Sequence, residues 1–226
     1  ATAAMFEAIG TKHRHIQRVI LASSRSIYGE GAYKLNDQIV VAAPRDANRL
    51  KSGQVEPVGP NGEALQLVAT PEDVSPSPAS VYAATKLANE SLCKIFAEAY
   101  GTTVVALRFQ NVYGERQSLR NPYTGILSIF STRIRQSKAI NIFEDGNESR
   151  DFVFIDDVVD ATVSGIEHEE PLVDVFNVGS GVATDVFSVA NLLRTYLNGS
   201  SEITVSGQYR NGDIQPLHLI LGSNAG

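Results

Sequence analysis

The sequence has no tryptophan, a single cysteine and a single methionine among 226 residues, and no apolar run that approaches the length of a membrane-spanning helix. The lone Cys93 excludes an internal disulfide and any metal site built from several cysteines. The four histidines lack acidic partners at the spacing of metal ligands. These absences favour a soluble globule of one or two domains with no structural metal.

Positive charge is also scarce. The formal net charge is -6, so a general affinity for nucleic acid is not expected, and an anionic small ligand would have to be held by local arginines. Residues 1–15 do not show the basic start, apolar stretch and small-residue cleavage site of a secretory signal. The sequence therefore predicts a cytoplasmic protein that does not bind a membrane.

Strand and helix patterns alternate along the chain. Three short β-branched runs predict buried parallel strands at 18–24, 103–109 and 174–180. Helical patterns cover 1–9, 80–100, 124–137, 156–168 and 185–198. This alternation predicts an α/β fold with a mainly parallel sheet.

The stretch from Glu30 to Pro78 breaks this alternation because proline, glycine and asparagine punctuate it. It predicts a long insertion loop, with room for a small hairpin. Loops of this length are usually functional covers or disordered segments, and a lid is the favoured interpretation.

The helix at 80–100 carries a tyrosine and a lysine one turn apart, Tyr82 and Lys86, together with Cys93 on the same side. Its apolar stripe lies roughly 100° away and is expected to pack against the rest of the protein. Core or interface packing is expected for the cysteine. The stripe consists of Val81, Ala84, Ala88, Leu92, Ile95 and Ala99.

A phenol is a poor base at neutral pH, but an ammonium held beside it stabilises the phenolate, so a tyrosine next to a lysine is a plausible proton-transfer pair. Composition alone would give this spacing about one time in five, so the motif needs its context. Strand ends supply that context: "LASSRSIYG" at 21–29 ends in hydroxyls, and "ALRFQNVYG" at 106–114 ends in an asparagine.

With "SVYAATK" at 80–86, "SRDFVFIDDVVDA" at 149–161 and "YRNGD" at 209–213, the ordered motifs resemble the NAD-dependent sugar-nucleotide epimerase/dehydratase family of extended short-chain dehydrogenases/reductases. The resemblance extends from residue 1 to about residue 222. Within the family, the chain is most similar to dTDP-L-rhamnose 4-epimerase-like and UDP-glucose 4-epimerase-like proteins.

The resemblance implies a partial Rossmann-like, doubly wound parallel sheet without its N-terminal strands, followed by a small C-terminal α/β subdomain for the substrate. Residues 1–115 would be the later part of the NAD-binding domain, with the insertion at 30–78. Residues 116–226 would mainly bind the nucleotide sugar, with 150–180 returning to the Rossmann sheet.

The resemblance also assigns roles to individual residues. Ser24 would hydrogen-bond the reacting sugar oxygen, Tyr82 would be the acid/base, and Lys86 would hold the nicotinamide ribose and promote ionisation of the tyrosine. The cofactor NAD would be lined by Ser23, Tyr82, Lys86, Phe109 and Gln110. For the two serines, a plain strand-end cap is the alternative.

The substrate would be a nucleotide-diphosphate sugar, and guanidinium groups suit its diphosphate by charge and fork geometry. For Arg150 the alternative is a salt bridge to a neighbouring aspartate, and for Arg210 the two interpretations are about equal. For Phe143 a plain core position is favoured over its implied place at the nucleobase wall. The implied substrate-binding residues are Ser24, Asn111, Phe143, Arg150, Arg210 and Asp213.

Family dehydratases place an Asp-Glu pair directly after the Ser/Thr, whereas this chain has Arg25 and Ser26. The resemblance therefore implies a 4-epimerase that oxidises C4 transiently. An NAD(P)-dependent 4-keto-sugar reductase would use the same residues and differ in consuming cofactor. A non-catalytic nucleotide-binding sensor of the same fold is a third hypothesis, although such proteins usually lose the tyrosine or the lysine.

The glycine-rich G-x-x-G-x-x-G turn of the family is absent. We therefore expect these residues to be part of a longer protein, with one sheet edge bare, and to bind NAD poorly or not at all by themselves. The family also implies a homodimer, here through helices 1–9 and 80–100.

Overall fold

The computed structural model describes residues 2–12, 16–42, 48–49, 52, 54, 56–118 and 125–207. Arg210 and Asp213, two of the predicted substrate residues, lie outside the described residues. The predicted α/β alternation is confirmed, and most predicted boundaries lie close to the observed ones.

A parallel three-stranded sheet, called the central sheet below, forms the centre of the first of two parts of the fold. Its strands β1 (Arg18–Ser24), β5 (Thr103–Phe109) and β9 (Val173–Val178) pair in the order β1-β5-β9. Because all three are parallel, their carboxyl ends meet at one edge of the sheet. Among the described residues β1 pairs with β5 alone, so the expected bare sheet edge is present on β1.

Helices cover both faces of this sheet. On one face, α1 (Thr2–Lys12) and α2 (Val81–Tyr100) pack around Val104, and the Phe6 and Phe96 rings stack with their centres 4.6 Å apart. On the other face, α4 (Ile155–Glu167) packs near Val105 and Leu107. Successive residues of β5 thus face opposite helical layers, which explains why the strand is apolar throughout.

Local signals fix both ends of α2. The hydroxyl of Ser80 accepts a hydrogen bond from the backbone N–H of Ala83 at 3.0 Å and caps the first turn. Gly101 ends the helix in the left-handed conformation, with φ of 66°. The Ser/Pro-rich loop before the helix therefore delivers Tyr82 in the first turn.

The sequence predicted the wrong packing face for α2. Its stripe is largely exposed, with Val81 87% and Ile95 62% exposed. The face that carries Lys86 contacts the sheet instead, and it does so through polar as well as apolar groups, which hydrophobic periodicity does not register. The buried residues of the helix are Ala83, Glu90, Cys93, Phe96 and Ala97.

The insertion is folded where the structure describes it. It contains β2 (Ala32–Leu35), β3 (Gln38–Val41) and β4 (Gln66–Leu67), which form an antiparallel sheet in the order β3-β2-β4. Asn36 and Asp37 both have positive φ, 48° and 65°, as a two-residue hairpin turn requires. The predicted hairpin is therefore confirmed, and the segment is more ordered than a loop.

The other part of the fold, called the second region below, contains two small sheets. Strands β6 (Asn111–Tyr113), β8 (Ser149–Phe154) and β10 (Ala183–Asp185) pair in the order β10-β8-β6, and β7 (Ile140–Ile142) pairs with β11 (Ile203–Val205). Helices α3 (Ile126–Arg135) and α5 (Val186–Tyr196) pack together on a core that includes Phe130, Ile140 and Val189. This is the small α/β subdomain expected at the C-terminal side.

The stretch 150–180 does not return to the central sheet as one piece. Its β9 joins that sheet, whereas β8 pairs with β6 and β10. The chain breaks the strand at Gln110, between β5 and β6, and the continuation pairs in a different sheet.

Within the described ranges, no helix is long and apolar enough to cross a membrane. No group of three or more His, Cys, Asp or Glu side chains there is placed to hold a metal ion.

Candidate active site

The carboxyl edge of the central sheet collects the predicted catalytic and cofactor residues. Ser24, the last residue of β1, lies opposite Phe109, the last residue of β5, and Gln110 follows directly. In open parallel sheets, ligands bind in the crevice outside this edge. The edge is therefore the candidate active site.

Helix α2 places Tyr82 and Lys86 beside the end of β1. The Lys86 ammonium donates a hydrogen bond to the carbonyl oxygen of Ala22 at 2.7 Å and lies 5.6 Å from the centre of the Tyr82 ring. The tyrosine is 56% exposed, so a ligand can reach it. Because Ser24 follows Ala22 by two residues on the same strand, the structure brings Ser24, Tyr82 and Lys86 to one end of the sheet.

The Ser24 side chain also has a local role. Its hydroxyl oxygen accepts a hydrogen bond from the backbone N–H of Ser26 at 3.2 Å and caps the 3-10 turn Arg25–Tyr28. A hydroxyl that accepts at its oxygen can still donate its proton, so the cap leaves a donor for a ligand.

A polar row crosses the central sheet just below this edge. Ser23 on β1, Arg108 on β5 and Asn177 on β9 are register partners, and all three are buried. From α2, Glu90 accepts a hydrogen bond from the Ser23 hydroxyl and a bidentate pair from Arg108, with Nε–Oε1 and Nη2–Oε2 distances of 3.1 and 2.8 Å. The helix that carries Tyr82 is thus tied to two strands.

Tyr28 and the insertion complete the row. Arg108 Nη1 donates to the Tyr28 hydroxyl at 2.6 Å and to the carbonyl oxygen of Glu72 at 3.0 Å. The Tyr28 hydroxyl donates to Asn177 Oδ1 at 2.9 Å, and the Asn177 N–H donates to a Glu72 carboxylate oxygen at 2.9 Å. Burial raises the pKa of Tyr28 despite the neighbouring charge of Arg108, so the phenol remains a donor.

Sequence reasoning missed most of this row. It named Ser23 as a cofactor residue but did not predict Glu90, Arg108, Tyr28 or Asn177. Two signals were available: a glutamate follows Lys86 by four residues on the same helix face, and an arginine interrupts a buried strand, where a charge needs a partner. The Ser23 hydroxyl is directed to Glu90, and its predicted contact with the cofactor stays a prediction.

Asn111 and Gln110 continue the site toward the second region. The Asn111 amide donates to the carbonyl oxygen of Asp151 at 3.0 Å, which links β6 to β8. Both amide atoms of Gln110 are buried and have no hydrogen-bond partner among the described residues. A buried amide without partners is uncommon in folded proteins and indicates a position where a ligand or water completes the hydrogen bonds.

Two arginines near the site, Arg25 and Arg150, are close enough to repel each other. Arg150 lies on β8, and its buried Nε has no hydrogen-bond partner in the described part of the chain. Burial lowers its pKa, and it lowers the pKa of Arg25 to about 10, with repulsion from Arg150 adding to the effect. The alternative salt bridge from Arg150 to a neighbouring aspartate is not observed among the described residues.

Phe143 is half-buried and directly follows β7. It lies outside the four hydrophobic clusters of the described residues, and its predicted place at the nucleobase stays a prediction.

The comparisons with known proteins agree with this geometry. Residues 1–179 match the model of the NAD dependent epimerase/dehydratase family. The chain belongs to the NAD-dependent epimerase/dehydratase family. Among curated relatives of this family, the dTDP-L-rhamnose 4-epimerase of Burkholderia thailandensis is 40% identical over 201 residues, which cover 88% of this chain and 54% of the relative.

Solved structures of the NAD-dependent epimerase/dehydratase family have the same fold. The UDP-glucose 4-epimerase of Thermotoga maritima with UDP-glucose superposes with a TM-score of 0.72 at 26% identity, covering 97% of this chain and 58% of that one. MoeE5 in complex with UDP-glucuronic acid and NAD gives 0.70 at 26% identity, with 97% and 59% covered. The chain spans about half the length of the curated relatives it matches.

The residues at the sheet edge fit the nicotinamide riboside end of NAD. Tyr82 and Lys86 offer a hydroxyl and an ammonium, which suit the hydroxyls of a ribose, and Gln110 offers a buried amide without a partner. The sequence has no glycine-rich turn for the pyrophosphate of the family cofactor. The fit is therefore limited to one end of the cofactor.

Gly179 lies close to the side chains of Asp151 and Gln110, behind the candidate active site. A Cβ added there would overlap a carboxylate oxygen of Asp151 and come within 2.7 Å of Gln110 Cγ. Asp151 is fixed because it accepts hydrogen bonds from the backbone N–H and hydroxyl of Ser180 and from the N–H of Gly181.

We expect Gly179→Ala to lower the free energy of unfolding by about 1–3 kcal/mol, because neither neighbour can move without losing contacts. Urea denaturation of the chain measures this. The control is Gly165→Ala on α4, whose added Cβ would come within 3.3 Å of the flexible end of Ile20 and make ordinary contact with Val105 at 3.5 Å. Equal effects of the two substitutions would contradict the prediction.

Proposed function

We propose that the protein containing these residues is a nucleotide-sugar 4-epimerase that uses NAD. The observation that carries the proposal is the arrangement of Tyr82, Lys86 and Ser24 at the carboxyl end of β1, within a chain of the NAD-dependent epimerase/dehydratase family. The names of its relatives, several of which are 4-epimerases, support the same reaction.

Each residue has a defined task in this proposal. The oxygen of Tyr82, in its phenolate form, takes the proton of the sugar C4 hydroxyl and later returns it. The Lys86 ammonium, oriented by the Ala22 carbonyl, stabilises the phenolate, and the Ser24 hydroxyl holds the reacting oxygen. NAD, held by Lys86 beside Tyr82, would supply a reversible hydride acceptor for C4, so no net redox change would result.

The substrate is a sugar linked to a nucleoside diphosphate. Asn111 and Arg150 would contact the diphosphate, Arg210 and Asp213 the phosphate and the nucleotide ribose, and Phe143 the nucleobase. The half-buried guanidinium of Arg150, without a partner in the described residues, supports an anionic ligand at this place. Dehydration is disfavoured because Arg25 and Ser26 follow Ser24 where a dehydratase needs two more carboxylates.

The test uses the natural protein that contains residues 1–226, with NAD present. It is incubated separately with dTDP-L-rhamnose and with UDP-glucose, and NMR follows the configuration at C4 of the sugar. Inversion without accumulation of NADH supports the epimerase. Conversion of a 4-keto sugar that consumes the reduced cofactor would indicate a reductase, and binding without turnover would indicate a sensor.

The 226-residue chain by itself is expected to show no saturable binding of NAD up to about 1 mM, because it lacks the glycine-rich turn that holds the pyrophosphate. Calorimetric titration with NAD measures this, with the full natural protein as the positive control. Saturation at micromolar NAD, or turnover by the chain alone, would refute the prediction.

We further propose a homodimer built from α1 and α2. The apolar stripe of α2 supports this, since the fold leaves Val81, Ile95 and the stripe's alanines between them exposed, and Met5 on the neighbouring helix α1 is also 46% exposed. A cytoplasmic location is part of the proposal and agrees with the free thiol of Cys93.

A further inference from the structure

Arg25 follows the active-site serine directly and is the first residue of the 3-10 turn Arg25–Tyr28. The Ser24 cap fixes where this turn begins, so the arginine is held at the carboxyl edge of the sheet. It is half-buried. A cation at this depth is expensive unless a partner compensates its charge.

The structure provides Arg25 with no such partner among the described residues, where it forms neither a hydrogen bond nor an ion pair within 4 Å. A neighbouring cation is Arg150, whose buried Nε also lacks a hydrogen-bond partner in that part of the chain. The two guanidinium groups are close enough that Arg150 repels Arg25. Two cations of this kind side by side indicate a site that an anion completes.

Acidic groups surround the pair without neutralising it. Glu30, Glu148 and Asp151 attract Arg25 from a distance. Asp151 is already committed, because both its oxygens accept hydrogen bonds from residues 180–181. The other two carboxylates have interactions of their own and form no ion pair with Arg25 among the described residues.

A further polar atom is open at the same turn. The Ser26 hydroxyl is buried and has no hydrogen-bond partner in the described ranges. A donor on the turn, together with guanidinium groups from the turn and from β8, offers several N–H and O–H groups to one oxyanion. Phosphate oxygens suit such a set because Arg forms paired, charge-assisted hydrogen bonds with them.

We infer that Arg25 binds the diphosphate of the nucleotide-sugar substrate together with Arg150, and so positions the sugar against Ser24. The inference rests on the proposed function for the identity of the substrate. Arg25 is a positioning residue here, since it acts on substrate binding and does not exchange a proton with the sugar. Diphosphate binding by Arg25 would also explain why a cation follows Ser24 at the position where a dehydratase has carboxylates.

The test measures both affinity and stability of the 226-residue chain. Calorimetry at low salt titrates it with dTDP, UDP, UDP-glucuronic acid and uridine. For Arg25→Gln, we expect dTDP and UDP to bind about 10–100-fold more weakly than to the unmodified chain, with little change for uridine. Because two repelling cations become one, the ligand-free variant should also unfold at a higher temperature than the unmodified chain.

A merely structural role for Arg25 predicts the opposite change in unfolding temperature, because its attraction to the three carboxylates would be lost. Arg150→Gln should weaken dTDP binding similarly, and the matched control Arg194→Gln, on α5 where the side chain bonds Asn191, should not. Unfolding temperatures of the ligand-free variants also show whether each variant folds.

Several results would overturn the inference: unchanged dTDP and UDP affinity in Arg25→Gln, a lower unfolding temperature, or no diphosphate binding by the unmodified chain. Weakening confined to UDP-glucuronic acid would assign Arg25 to a sugar carboxylate. Weakening confined to NAD, titrated into the natural protein that contains residues 1–226, would assign it to the cofactor pyrophosphate. Failure of C4 inversion with these affinities as expected would refute the proposed reaction alone, since the titrations need no turnover.

Discussion

Tyr82→Phe in the natural protein is expected to lower the rate of C4 inversion by about 10²–10⁴-fold, the range that a positioned acid/base contributes. The substitution removes only the hydroxyl oxygen, and the side chain is 56% exposed, so the fold should not change. NMR of the sugar C4 measures the rate, and circular dichroism checks the fold. The control is Tyr196→Phe on α5, another exposed tyrosine, which should keep full activity.

Lys86→Met separates the role of the ammonium from that of the phenol. In the proposed reaction Lys86 would act through the tyrosine and through NAD. The double variant Tyr82→Phe/Lys86→Met should therefore be little slower than the worse single variant, as for residues that act as a unit. Additive losses in the double variant would contradict a shared function. Full activity of Tyr82→Phe would remove the tyrosine from the mechanism.

Breaking the buried ion pair between Glu90 and Arg108 is expected to have the largest effect on stability. Glu90→Leu leaves a guanidinium that is 5% exposed without its carboxylate, which typically costs about 3–5 kcal/mol of unfolding free energy. Urea denaturation measures the loss. The control is Lys34→Gln, which breaks the exposed pair between Lys34 and Asp37 and should cost less than about 1 kcal/mol.

A double variant sharpens this prediction. Glu90→Leu/Arg108→Leu removes both charges, so the double variant has no unpaired buried charge. Its loss of unfolding free energy should therefore be smaller than the sum of the losses in the two single variants. The loss will not vanish, since Tyr28 and Glu72 also lose the hydrogen bonds that Arg108 donates. A loss equal to the sum would show that the two charges do not interact.

The same ion pair links stability to the site. Glu90 is one helical turn beyond Lys86, and their contacts fall on adjacent residues of β1, Ser23 and Ala22. The row through Arg108 also reaches the insertion at Glu72. The insertion is therefore anchored to the sheet at its C-terminal end, and its role as a lid stays a prediction.

The strands and helices could be read from the sequence because they depend on local patterns. A parallel strand buried on both faces must be apolar throughout, as at 103–109, and a helix start needs a cap such as Ser80. The ordered motifs also gave the family, which the comparisons confirm over residues 1–179. The resemblance to the family implied one site for Ser24, Tyr82 and Lys86, and the contact of Lys86 with Ala22 in the structure brings the three residues to one sheet edge.

Other features depended on contacts between residues far apart in the chain. Hydrophobic periodicity predicted the wrong packing face for α2, because the buried side is anchored by Lys86 and Glu90, whose partners are set by the register of β1 with β5. The pairing of β8 with β6, the anchored insertion and the proximity of Arg25 to Arg150 join residues more than 30 positions apart.

By itself, then, the sequence determined the elements of this protein, its family and the candidates for its catalytic side chains, because the patterns that indicate them lie within a turn or a strand. Only the tertiary structure decided which polar groups compensate one another. That balance depends on which side chains the fold brings within hydrogen-bond distance, and it left Arg108 paired while Arg25 and Arg150 form no ion pair within 4 Å among the described residues.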